Sequence, residues 1–278
     1  IDRWILHRLH EAIEALDRSM GAYQFSNVAD TLYDLAWRDY CDWYLEGIKP
    51  TVASDPRQCQ VLLSMTDSLL RLLHPVMPFV TETLWPHLRR AGERGLPGLA
   101  LPDSELLAVA DWPRIDASCR DPEAGALFER VQALVGQVRT VRGERNVNPR
   151  KRITMLVPPR INEFVASTGG VVQTLCGLEQ VVELGADAPP SDAVVIAHEG
   201  EELLLAGLLD VEDLAKERGR LRKIRDQKAR QISGFEGRLS NEAYVSKAKP
   251  ELVAETRRLL EDARADLAAA EAALQRLD

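Results

Sequence analysis

Apolar residues recur every seven positions towards the end of this 278-residue chain: Val253, Leu260, Leu267 and Leu274. Thr256, Ala263, Ala270 and Leu277 follow them by three. This is the spacing of a helix with one face buried along a partner helix, and it suits no strand. Upstream, Leu214, Leu221, Lys228 and Phe235 keep the same interval, with Ile224 at a d position. Glu217 and Gln231 at other d positions, and Lys228 at an a position, leave that seam imperfect. Between the two repeats, Asn241 and Pro250 interrupt any single helix, because proline lacks the N–H that continues it. The pattern predicts an antiparallel coiled-coil hairpin.

The two arms differ in charge. Residues 216–249 hold 11 Lys/Arg against 4 Asp/Glu, a surplus of +7 in a chain whose net charge is −8. With Leu214 at a, Lys216, Lys223 and Arg230 fall at c, Arg218 and Arg225 at e, and Arg222 at b, all pointing away from the seam. The second arm, residues 250–278, carries 4 Lys/Arg and 7 Asp/Glu and offsets only part of this charge. An outward basic stripe about 39 Å long, at 1.5 Å per residue, suits a polyanion such as folded RNA. A solvated structural brace has the same pattern.

Length allows two domains. No apolar run is long enough to span a bilayer. The four cysteines, Cys41, Cys59, Cys119 and Cys176, form no Cys-x-x-Cys pair, which suggests neither a zinc site nor a disulfide framework and fits a reducing cytoplasm. The chain opens on IDRWILHRLH, already helical in pattern and without Met, which predicts a piece of a longer protein.

The fold expected is mainly α in three parts: a helical bundle over 1–149, a small α+β subdomain over 150–207, and the hairpin over 208–278. In the bundle, Leu6, Leu9, Ile13, Leu16 and Met20 share a helical face. Ser26 is the expected cap of a second helix running towards Gly47. Asp55-Pro56 and Asp121-Pro122 each read as a cap followed by proline at the first helical position. The Gly- and Pro-rich residues 92–113 read as a long surface connection. From residue 150 the pattern changes. Ile153, Met155 and Val157 alternate as in a strand, residues 161–176 read as a helix weakened by Gly169-Gly170, and VVEL, AVVIA and ELLLA are short apolar runs between turns.

Two further groups could carry function. Tyr33, Trp37, Tyr40 and Tyr44, spaced 4, 3 and 4 with Trp43 beside them, line one face of an α-helix. They suit either stacking of unpaired RNA bases or the filling of a bundle core. Residues 138–152, VRTVRGERNVNPRKR, hold Arg139, Arg142, Arg145, Arg150, Lys151 and Arg152 against Glu144 alone. Cations there complement a helix C-terminus, and six of them also suit phosphate contact. His7, His10, His74, His87 and His198 form no nucleophile–base or metal-ligand arrangement, and no Gly-rich phosphate loop occurs.

Five stretches together resemble the C-terminal part of a class I aminoacyl-tRNA synthetase, most closely the bacterial valyl family. They are IDRWILHRL, WRDYCDWYLEGIKP, LLHPVMPFVTETLW, VRTVRGERNVNPRKR and LSNEAYVSKAKPELVAE, in that order. Arg145 and Asn148 stand where the family more often has methionine and proline. The family's HIGH and KMSKS motifs do not occur in these residues. The resemblance implies a parent enzyme that attaches valine to tRNA(Val), with ATP and magnesium bound in the part not present and no cofactor in this one. It implies a monomer that binds tRNA, with no membrane or DNA partner. The bundle would take the anticodon stem-loop, with Arg139, Arg142, Arg145, Arg150 and Lys151 at its junction. The arm would take the outer corner of the tRNA through Lys216, Arg218, Arg222, Lys223, Arg225 and Arg230. The rival reading is a protein-interaction or dimerisation module of an isoleucyl- or leucyl-type synthetase.

Overall fold

A computed structural model describes residues 1–185, 190, 193–208, 211–240 and 250–277, the side chains of 211–218, 250, 251, 254, 269, 272, 273 and 275–277 excepted. The order of elements begins with α1 (Asp2–Gly21) and α2 (Phe25–Tyr33). The helical path of α2 runs on as a π-helix (Asp34–Leu45) and a last α-helical turn (Glu46–Ile48). Then come α3 (Pro56–Leu73), α4 (Pro78–Ala91), β1 (Leu99–Ala100), β2 (Arg114–Ile115), α5 (Pro122–Glu144), β3 (Ile153–Val157), α6 (Pro159–Ser167), α7 (Val171–Cys176), β4 (Leu178–Glu183), β5 (Val194–His198) and β6 (Glu201–Ala206). Two long helices, α8 (Val211–Leu239) and α9 (Pro250–Leu277), close the chain. Residues 1–144 with 159–181 form one compact unit; 145–158 with 182–278 form another.

In the first unit, α1 buries Trp4, Ile5, Leu9, Ala12, Ile13 and Leu16, while Leu6 and Met20 are half-buried. Trp4 stacks on Phe128 of α5 with ring centres 3.8 Å apart. Both Asp-Pro caps form. Asp55 Oδ1 accepts from the Arg57 and Gln58 amides at 2.9 and 3.2 Å. Asp121 Oδ1 accepts from the Ala124 amide at 2.9 Å. The second helix starts one residue before the expected Ser26 cap: Gln24 stands at the cap and Phe25 is already helical. Tyr23, at φ +54°, turns the chain sharply enough for this earlier start.

The connection over 92–113 runs along the surface as expected, with anchors in the core. Leu99 and Leu107 are buried in it, and β1 pairs antiparallel with β2. Beneath the loop, the buried Arg71 donates to Asp67 Oδ1 at 2.5 Å, the Asp111 carbonyl at 2.8 Å and the Pro102 carbonyl at 2.7 Å. Arg94 Nε lies 2.8 Å from Asp67 Oδ2. Trp85, fully buried, donates from Nε1 to the Ser104 carbonyl at 3.0 Å, with Arg71 and Arg94 over its ring at 5.0 and 5.7 Å. A loop whose carbonyls bind a buried guanidinium cannot lift away without stripping two of its buried donors of their acceptors.

The Gly169-Gly170 pair, both at positive φ, breaks the predicted 161–176 helix into α6 and α7. In the second unit, β6 lies between β3 and β5, antiparallel to both. The end of the β4 segment runs beside β3, where the Leu184 amide donates to the Val157 carbonyl at 2.8 Å. β3 alternates buried and half-buried residues, as its period-2 pattern predicts.

Helices α8 and α9 pack along each other. Val253, Thr256, Leu260, Ala263 and Ala270 are buried, with Leu267 and Leu274 half-buried, so the α9 seam follows the heptads. On α8, Leu221 is buried and Ile224, Lys228 and Phe235 are half-buried, but Gln231 and Arg238 at the formal d positions are exposed. Ile232 and Leu239 replace them as half-buried positions. The seam there follows the 3.6-residue period of a straight helix in preference to a strict seven. The bend at 241–249 lies outside the described residues.

Candidate nucleic-acid interface

The aromatic run of the second helix divides in two. In the π-helix each turn takes more residues than in an α-helix, because i→i+5 bonds replace i→i+4. A 4-3-4 spacing therefore no longer keeps to one face. Tyr40 and Tyr44 point inward and stack at 6.0 Å between ring centres. The Tyr40 hydroxyl meets Thr66 Oγ1 at 2.6 Å, and the Tyr44 hydroxyl donates to Asp2 Oδ1 at 2.9 Å. Burial, with Asp2 beside it, pushes the Tyr44 phenol far above its usual range. Tyr33 and Trp37 face outward, 60% and 56% exposed. The core reading holds for Tyr40 and Tyr44, and the other two rings face solvent.

The neighbouring charges are held. Arg38 pairs with Asp34 at 3.0 Å, and Asp39, buried, accepts from Arg8 at 2.8 Å. Burial raises the Asp39 carboxyl above its ordinary value, against the lowering by Arg8. His7 and His10 are core histidines; His7 Nδ1 accepts from the Asp121 amide at 3.2 Å.

Sequence reasoning missed other exposed rings. Tyr23 and Phe25, 79% and 68% exposed, meet edge to face at 6.4 Å in the α1–α2 turn. Phe79, 88% exposed, stands in the first turn of α4. A usable signal was present in GAYQF, where aromatics flank a turn with no apolar period to bury them.

The junction cations fall in both units. Arg139 lies over the Trp43 ring at 4.8 Å. Arg142 packs on Gly177, whose αL conformation at φ +66° and close approach leave a 3.6 Å gap to the position of a Cβ. The buried Cys176 thiol is pushed up to about 12 by desolvation, with Arg139 and Arg142 acting in the opposite direction. These two cations belong to the first unit. In the second, Arg145, Arg150 and Arg152 are exposed and Lys151 is half-buried. Asn148 Oδ1 accepts from the Arg150 amide at 2.9 Å in a local turn.

On the arm, Arg222, Lys223 and Arg230 are exposed as predicted. Arg225 is not free to point outward: it is half-buried and donates twice to Asp226, at 2.7 and 2.9 Å. Lys228 pairs with Asp266 at 2.6 Å and Glu236 with Arg264 at 2.8 Å, tying α8 to α9. The side chains of Lys216 and Arg218 lie outside the described residues. Among the described residues, no group of three or more His, Cys, Asp or Glu could hold a metal ion. Among them too, no helix is long and apolar enough to cross a membrane.

The exposed rings of the bundle and the exposed cations of the arm are surfaces of the kind a nucleic acid takes. The model of the anticodon-binding domain of tRNA ligase matches residues 2–157, and the chain belongs to that family. Residues 213–278 match the valyl tRNA synthetase tRNA binding arm. The chain is similar to the valine–tRNA ligase of Thermotoga maritima, 34% identical over 281 residues, covering 100% of this chain and 30% of the relative. It is also similar to those of Granulibacter bethesdensis (34%; 100% and 30%) and Nocardia farcinica (32%; 98% and 29%). The chain thus spans about 30% of the length of the curated relatives it matches.

Proposed function

We propose that this chain is the tRNA-holding C-terminal region of a valine–tRNA ligase. The whole protein attaches valine to tRNA(Val) using ATP, and valine, ATP and magnesium bind outside these 278 residues. The observation that carries the reading is the order of the two matches on one chain, anticodon-binding over 2–157 and the valyl arm over 213–278. We divide the work among three segments: 1–149 for the anticodon stem-loop, 150–207 as the small subdomain between, and 208–278 for the outer corner of the tRNA. Tyr33 and Trp37 offer faces on which unpaired bases stack, an interaction worth about 1–3 kcal/mol per base. Arg139, Arg142, Arg145, Arg150 and Lys151 contact phosphates at the junction, and Lys216, Arg218, Arg222, Lys223 and Arg230 do so on the arm. The protein works as a cytoplasmic monomer, its arm seam closed within one chain.

The test is binding of a tRNA(Val) transcript to the 278-residue chain, with footprinting. The expected result is a steep loss of affinity with salt, because cations on phosphates release counterions. Deleting 211–278 should expose the corner of the tRNA while the anticodon stays protected. An unchanged footprint on deletion, or anticodon protection unaltered by Tyr33→Ala with Trp37→Ala, overturns these assignments.

A further inference from the structure

The cations of α8 divide by what already holds them. Arg225 is bound to Asp226 and Lys228 to Asp266. Lys223 and Arg230 are exposed and make no side-chain ion pair or hydrogen bond among the described residues. They border a shallow groove whose other walls are Asp226, Gln227 and Gln231. Residues 223, 227, 230 and 231 are spaced 4, 3 and 1, so they share one helical face. The two cations stand about 10 Å apart along the axis at 1.5 Å per residue. Asp226 is the one carboxylate in the groove, and Arg225 on the same helix offsets its charge at 2.7 Å.

A face selected for charge alone has no use for a neutral amide between its cations, Gln227, and a second beside them, Gln231. An amide presents both a donor and an acceptor. The ribose 2′-hydroxyl is likewise both, and it is the group by which a protein tells RNA from DNA. Lysine and arginine donate only, and they bind phosphates of either nucleic acid alike. Gln231 also sits at a formal seam position yet is exposed, so it adds nothing to the packing of the hairpin.

We propose that Lys223, Gln227, Arg230 and Gln231 form a ribose–phosphate reading face, the cations binding phosphates and the amides binding 2′-hydroxyls of the tRNA backbone; this rests on the tRNA-holding role proposed above. The face makes the arm selective for RNA without reading its bases.

The test uses the 278-residue chain and a tRNA(Val) transcript, both intact and as a pool carrying random 2′-deoxy substitutions. Gln227→Ala with Gln231→Ala should weaken binding about tenfold, the loss of two ordinary hydrogen bonds. The salt slope should stay unchanged, and the 2′-deoxy interference at the bound riboses should vanish. Alanine is the best helix former, so these variants keep the helix. Lys223→Gln with Arg230→Gln should lower the salt slope by about two. If the glutamine variants keep both affinity and interference pattern while the cation variants weaken binding, the amides read no ribose and this inference falls alone. If the cation variants and deletion of 211–278 also leave affinity unchanged, the tRNA-holding role of the arm falls with it.

Discussion

The guanidinium carbon of Arg139 lies 4.8 Å from the centre of the Trp43 ring. Phe128 meets the same indole edge-on, at 5.9 Å and 86°. A cation from α5 thus covers the one half-buried ring of the π-helix, with an aromatic from its own helix beside it. Arg139→Ala should lower stability by about 0.5–1 kcal/mol, the range for a cation over an exposed ring. Urea unfolding followed by tryptophan fluorescence reads this; Arg139→Lys should keep part of the loss from appearing. No change in either variant would show that the pairing adds nothing.

Asp67 is the shared partner of the buried Arg71 and the half-buried Arg94, which also pairs with Asp103. Its Oδ1 accepts from Arg71 at 2.5 Å, and its Oδ2 lies 2.8 Å from Arg94. Asp67→Ala should lower stability by about 3–5 kcal/mol, because it leaves buried positive charge without its counter-charge. Thermal unfolding measures the loss. Limited proteolysis should at the same time open residues 92–113, whose carbonyls Arg71 holds. A variant with an unshifted midpoint would show that the loop is held by apolar packing alone.

Stability should fall in acid partly through Asp121. Its carboxyl is held below the ordinary value of 3.8, first by the Ala124 amide and then by Arg3. Below 3.8 the unfolded chain therefore takes up this proton before the folded one does. The contribution is complete above that value and is lost as pH drops through the lower folded value. In Asp121→Asn, the slope of stability against pH between about 2 and 4 should be shallower than in the parent. Calorimetric midpoints across that window decide it, and parallel slopes would exclude Asp121 as a source of the acid sensitivity.

Lys228 occupies a seam position and keeps its ammonium on Asp266, with side chains 27% and 56% exposed. A pair this open contributes about 0–1 kcal/mol. Lys228→Leu should therefore stabilise the hairpin by about 1 kcal/mol, since methylene burial outweighs the lost pair. Chemical denaturation of the chain would register the gain. A loss instead would mean that the ion pair sets how α8 and α9 meet.

Cys176 should resist alkylation in the folded chain at pH 8. The thiolate is the reactive form, and burial pushes this thiol up to about 12. Iodoacetamide labelling read by mass spectrometry should find it modified only after unfolding, and rapid native labelling would show that α7 opens locally.

Much of the architecture was legible because it is written in short-range periodicity. The seven-residue interval through Val253, Leu260 and Leu267 marked the arm, the Asp-Pro steps at 55–56 and 121–122 marked helix starts, and the alternation of Ile153, Met155 and Val157 marked a strand. The candidate surfaces were legible only in part. Tyr33, Trp37, Tyr40 and Tyr44 share a face at 3.6 residues per turn, and the π-helical stretch alters that geometry. Nothing in a single residue's identity announces that change, because it depends on which backbone groups bond. Residues 92–113 carry turn signals and so read as surface, but their anchor is hidden from the sequence: Arg71, which holds the Pro102 and Asp111 carbonyls, sits more than thirty residues upstream of them.

The sequence by itself determined where most of the helices and the strand from Ile153 lie, that the arm is basic, and which family the chain resembles, since periodicity, capping and composition act between near neighbours. Only the tertiary structure decided which rings and cations remain available to a ligand. Tyr44 went to Asp2 and Lys228 to Asp266, leaving Tyr33, Trp37, Lys223 and Arg230 facing solvent. The physical reason is that a polar group's partner is chosen by distance in three dimensions, and distance along the chain does not encode it.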